Sequence, residues 1–206
     1  MTRIIPSREN DYEDESTKQL LDYIEEKISQ QYRYMMAHFE DKFKKKFEGK
    51  LTFSRFRGTY MGMANYHREE IAISLPAVLD REHIDLLIHE LAHFITHDQG
   101  YTGEFVANPH SFMFGILCAV LRRDLLGQKK HFFEPYDFSE DIYYEKLVFN
   151  PSEYDKRIMG LKYKDFVDML VVCNEFAKEL HQQIYELEHI KLIPKCGTLT
   201  EYWKQE

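Results

Sequence analysis

The run Leu87-Ile88-His89-Glu90-Leu91-Ala92-His93-Phe94 carries two imidazoles and a carboxylate at a spacing suited to metal chemistry. Residues four apart on a helix are neighbours, so His89 and His93 would grip one ion while Glu90, one residue further round, faces the same cavity. Neutral imidazole is a good ligand for Zn²⁺, and three protein ligands leave a fourth position for a water whose pKa falls to about 7. Glu90 is then the candidate catalytic carboxylate, the group that takes that water's proton. A His-Glu-x-x-His string also arises by chance, so context has to carry the assignment.

A catalytic zinc needs a third protein ligand. His97 continues the four-residue series, but its Cβ would lie about 12 Å along the helix axis from that of His89, too far for one small ion. The metzincin spacing requires a histidine where Gln99 stands. Glu104 and His110 remain. Glu104 follows Gly103 in a loop, whereas His110 follows Asn108-Pro109, a strong helix start, and would stand on a rigid element. His110 is therefore preferred, with Glu104 kept as the alternative.

The elements that must position these residues follow from periodicity. Leu20, Ile24, Ile28, Tyr32, Met35, Phe39, Phe43 and Phe47 recur every three or four positions, which predicts a long helix from Ser16 to about Phe47, ended by Gly49. Leu51 and Phe53, then Tyr60 to Tyr66, then Ile71, Ile73 and Leu75 read as three strands of a small antiparallel sheet, closed by Pro76. Asp80 is expected to cap a helix of about 81–98 that carries the motif. Ile84, Leu87, Ile88, Leu91 and Ile95 form its apolar arc, opposite His89, Glu90 and His93. A solvated helix face bearing incidental histidines fits the same wheel. A further helix runs from Asn108-Pro109, with His110 in its first turn, to Gly127, and a closing helix covers about 163–190. The aromatic segment 131–154, interrupted by Pro135 and Pro151, is expected to be irregular and to lie over the core.

Taken in order, Met63-Ala64-Asn65-Tyr66, Ile71-Ala72-Ile73-Ser74-Leu75, His89-Glu90-Leu91-Ala92-His93 and His110-Ser111-Phe112-Met113-Phe114 resemble the SprT-like minimal zincins, relatives of the Spartan proteases. The resemblance spans residues 50–122 or so. It implies a zincin-like α+β fold, with a small antiparallel sheet packed against the His-Glu-x-x-His helix and flanking long helices. It also implies zinc on His89, His93 and His110 with Glu90 as the catalytic carboxylate. Ser111 stands where that family usually has glycine, and the zinc ribbon and DNA-binding tail of Spartan are absent. The string His89 to His97 is also similar to the ImmA/IrrE peptidases, in which a downstream Glu completes the site; Glu104 would take that part, but Pro109 would interrupt the helix expected after it.

Composition bounds the function classes. One domain over 1–206 is the simplest organisation, with 1–14 a flexible polar tail. A formal charge of −8 argues against a general nucleic-acid surface, and Lys42, Lys44, Lys45, Lys46 and Lys50 read as the positive end of an exposed helix. Cys118, Cys173 and Cys196 are odd in number and unpaired in spacing, which suits a reducing setting. No stretch approaches the roughly 18 apolar residues of a membrane span, and no secretory h-region opens the chain. The expectation is a soluble cytoplasmic zinc metallopeptidase acting on a protein or peptide, without membrane or nucleic-acid partners. The strand Ile71–Leu75 would bind extended peptide by edge pairing. Two other classes stand beside it: a non-catalytic zincin-fold binding protein, and an all-helical interaction protein in which the motif is coincidental.

Overall fold

Asp14 starts the first helix, because its carboxylate accepts from the Thr17 amide at 3.0 Å and from the Thr17 hydroxyl at 2.8 Å. The structure, a computed structural model, describes residues 4–5, 14–55, 60–79, 83–98, 110–132 and 151–189. Asp80, Glu104, Asn108-Pro109, most of the aromatic segment 131–154 and Cys196 lie outside the described residues. The chain gathers into two compact units, Met1–Tyr101 and Thr102–Glu206. Among the described residues no helix is long and apolar enough to cross a membrane.

In the first unit, helix α1 spans Glu15–Phe43. Its buried stripe is Leu21, Ile24, Ile28, Tyr32, Met35, Met36, Phe39 and Phe43, while Leu20, expected in the stripe, is 49 % exposed. The helix stops earlier than Gly49 because Lys44 adopts the left-handed conformation, φ 51°, and its amide donates to the Glu40 carbonyl at 2.9 Å. Phe47 lies beyond the helix, its ring 5.2 Å from that of Phe94.

The sheet is built from β1 (Ile4–Ile5), β2 (Lys50–Ser54), β3 (Gly62–Asn65) and β4 (Glu70–Ser74) in the order β1-β2-β4-β3. The expected polar tail thus contributes two residues to an edge. The sheet is mixed rather than antiparallel: β1 runs parallel to β2, β2 parallel to β4, and only β3 antiparallel to β4. A tight turn, with the Glu69 amide on the Tyr66 carbonyl and the Arg68 amide on the Asn65 side chain, makes β3 and β4 a hairpin. The connection from β2 therefore delivers β3 to the far side of β4. Alternation specifies which side chains are buried, not strand direction, so the pattern of Leu51, Phe53, Ile71 and Ile73 was compatible with either arrangement. The strand expected to offer an edge, β4, is paired on both sides; among the described residues the open edge beside it belongs to β3. A 3₁₀ turn at Leu75–Ala77, with Pro76 at its start, leads toward α2, His83–Asp98.

The second unit holds α3 (Phe112–Leu126), α4 (Pro151–Gly160) and α5 (Phe166–His189). Pro151 opens a helix where irregular chain was expected, in keeping with the preference of proline for a first helical turn. Helix α3 is buried from Phe112 to Arg122 and stops at Gly127, φ 66°, as the glycine predicted. Arg122 is fully buried and donates to the Phe132 carbonyl at 2.9 Å. Beside it Arg123 donates to the carbonyls of Ile158 and Leu161 past the end of α4, and Tyr163 bridges Arg123 to Asp124. Burial, then the neighbouring Asp124 carboxylate, holds the Tyr163 phenol well above its usual range. Burial likewise pushes the Cys173 thiol up to about 12, so it behaves as a small hydrophobe.

Tyr163→Phe removes one donor from the Asp124 carboxylate, whose side chain is only 6 % exposed. It should destabilise the protein by about 1–3 kcal/mol in urea titrations. No loss of stability there would show that the hydroxyl bridge contributes nothing.

Candidate metal centre

Helix α2 is buried on both sides. Leu87, Ile88, Leu91 and Ile95 are in the core as the apolar arc predicted, and His89 and Glu90, on the opposite side, retain only 7 % and 4 % exposure. A solvated face carrying incidental histidines does not describe these side chains. The helix is locked by Phe94, whose ring meets those of Phe47 and Tyr66 edge-on at 5.2 Å and 5.4 Å. That locking fixes the helix rotation, and rotation decides what His89, Glu90 and His93 face.

The His89 and His93 rings lie 4.9 Å apart and almost perpendicular, as neighbours on one face. His97, one turn further on, is exposed and stacks flat on Tyr66 at 3.8 Å. Its expected place outside the ligand set is kept. His110 sits one residue ahead of the α3 N-cap rather than inside the first turn. The cap is Ser111, whose hydroxyl accepts from the Phe114 amide at 3.4 Å. The imidazole of His110 rests near the Phe114 ring, 5.1 Å away. The signal in the sequence for this helix start is Ser111 itself, a favoured cap residue directly before the apolar run Phe112-Met113-Phe114.

One ring nitrogen from each of His89, His93 and His110 lies within 4.8 Å of the others, so the three are positioned to bind a metal ion. Zinc–nitrogen bonds of about 2.0–2.1 Å would set neighbouring nitrogens roughly 3.4 Å apart, inside the 4.8 Å limit found here. Three imidazoles suit zinc, copper, iron or nickel, and the geometry alone does not choose among them. No family model, curated protein or solved structure matches this chain. The reading of the centre therefore rests on its own residues.

Glu90 follows His89 in the chain and is buried. Burial pushes its carboxyl up from 4.5 to about 7, against two opposing influences: charge on His89 and a hydrogen bond from the Ala64 amide, both of which favour the carboxylate. The folded protein thus holds a proton on Glu90 at pH values where the unfolded chain has released it. Stability falls as pH rises from about 4.5 to about 7.

Two outcomes are expected. In metal-stripped protein Glu90→Gln should remove a stability loss of roughly 3 kcal/mol between those pH limits, read by denaturant unfolding at a series of pH values. An unchanged pH profile would sink the assignment of a buried, protonated Glu90. At the α3 cap, Ser111→Ala should lower stability by about 1 kcal/mol and Ser111→Gly by only a few tenths. Equal losses for the two would argue against capping.

Proposed function

We propose that this chain is a zinc-dependent metallopeptidase of the SprT-like kind, with a zincin-like fold. The observation that carries the reading is the convergence of His89, His93 and His110 with a buried acid, Glu90, immediately next to the first of them. The donor set fits the ion: the imidazoles of His89, His93 and His110 would hold zinc and leave room for substrate or water. When bound, zinc would supply Lewis acidity, polarising the scissile carbonyl and lowering the pKa of the attacking water. Glu90 would accept a proton from the attacking water and pass it to the leaving amine. A carboxyl that burial raises to about 7 is suited to both transfers near neutral pH, and a nearby cation draws it back toward the carboxylate that a base must be.

A purely structural ion would be satisfied by the imidazoles and would have no use for Glu90, which favours catalysis over a binding module. The sheet removes the all-helical alternative. Substrates are proteins or peptides, and a net charge of −8 gives nucleic acid no general electrostatic attraction.

Zinc at a hundredfold excess over its Kd should stabilise the protein by about 2.7 kcal/mol, and a strong chelator should reverse this. Substitution of His89, His93 or His110 by Ala should abolish the shift. Glu90→Gln should keep the ion while lowering kcat on an unstructured protein substrate by a factor on the order of 10²–10⁴. Activity surviving Glu90→Gln with the metal in place would refute the peptidase reading; no thermal response to any divalent ion would refute the metal centre.

A further inference from the structure

The register of the β3–β4 hairpin shows what holds Glu90. Gly62 pairs with Ile73, Met63 with Ala72, Ala64 with Ile71 and Asn65 with Glu70. The Ser74 amide donates to the Met61 carbonyl at 2.9 Å, so Met61, Met63 and Asn65 are the positions that turn their backbone groups toward β4. Gly62 and Ala64, the intervening positions, turn theirs to the open edge of the sheet. At that edge the Ala64 amide donates to the Glu90 carboxylate.

Gly62 matters for a different reason. Its φ lies outside the left-handed region, so the backbone there makes no demand for glycine. Space does. A Cβ at position 62 would stand 2.7 Å from Glu90 Oε1 and 3.1 Å from both Cδ and Cγ of the same side chain. The three nearest atoms all belong to Glu90, the end of a flexible side chain rather than backbone, so a methyl group at this position displaces the acid before it disturbs the sheet.

We propose that Gly62 and Ala64 are positioning residues for Glu90: the bare strand at 62 makes the room and the amide at 64 fixes the carboxylate within it, next to the imidazole pair. The inference deepens the reading of Glu90 as the proton acceptor and rests on it for its consequence in catalysis. The hold itself is independent of turnover. An edge amide without a partner exchanges freely with solvent, whereas one donating to a buried carboxylate is protected.

The test is amide hydrogen exchange and the proton chemical shift of Ala64, followed by NMR in the wild type, Glu90→Ala and Gly62→Ala, with zinc affinity and melting temperature measured alongside. Ala64 should be protected in the wild type and should exchange at least about tenfold faster in Glu90→Ala. Gly62→Ala should resemble Glu90→Ala at this amide while binding zinc and melting as the wild type does. On a peptide substrate it should lose at least about a hundredfold in kcat, with KM little changed. An Ala64 amide that stays protected in Gly62→Ala overturns the role of Gly62, and equal exchange in the wild type and Glu90→Ala overturns the hold altogether, whether or not Gly62→Ala folds. If Glu90→Gln retains full turnover while these amide effects are seen, the peptidase reading fails and the hold stands. If Glu90→Gln is inactive but Gly62→Ala keeps wild-type kcat, only the positioning role fails.

Discussion

A carboxylic acid that is 96 % withdrawn from water has to be explained by what surrounds it, and in this protein Glu90 is that acid. Withdrawal disfavours the charged form, and only a partner of opposite sign or a donated hydrogen bond offsets it. Much of the first unit is arranged around that constraint. Among the described residues the sheet order leaves β3 with an open edge, and α2 packs on β3 so that the edge amide of Ala64 reaches the acid. Phe94, fixed between Phe47 and Tyr66, stops the helix from rolling. A roll of one residue, about 100°, would take Glu90 off the strand and turn His89 and His93 away from each other's cavity.

The third imidazole depends on a different device. A metal ligand has to be held to within about half an ångström, and ligands on rigid elements are held better than ligands in loops. His110 precedes α3 by only the cap residue, and Ser111 closes the first turn directly behind it. Helix α3 is buried without interruption from Phe112 to Arg122, so it has no freedom to fray from the side. Serine and glycine are both good caps, whereas most residues are not. Ser111 is therefore one of the residue types that suit this position.

The features legible in the sequence were those written in spacing. The His89–His93 pair, the buried stripe of α1, the three alternating segments that became β2, β3 and β4, and the stop at Gly127 all follow from local periodicity and turn chemistry. What was not legible depends on partners distant in the chain. Strand direction is silent in an alternating pattern, so it shows neither the parallel pairing of β2 with β4 nor the interior place of β4. Two residues, Ile4 and Ile5, join the sheet only because β2 offers an edge, which no pattern two residues long can announce. Lys44 ends α1 in a conformation that lysine seldom adopts, against the stronger punctuation of Gly49. Pro151 was read as a breaker when it is an initiator, an ambiguity inherent in proline.

The sign of the electrostatics decides what Glu90 means for function. In a protein without a cation nearby, the surroundings of this acid favour its neutral form and make its ionisation a cost to the fold. A divalent ion held by His89, His93 and His110 reverses the balance, because the same withdrawal from water that penalises an isolated charge strengthens its attraction to a neighbouring cation. Metal binding and ionisation of Glu90 are thereby coupled: each makes the other more favourable. Incidental histidines on a wet helix face would have no such coupling, since water would screen both partners. A metal used only to brace the fold would be held by the imidazoles alone, and a neutral residue of the same shape at position 90 would serve it without a buried acid. The arrangement is advantageous when the charge on Glu90 is itself wanted, as it is in a site that must take a proton from water and give it back.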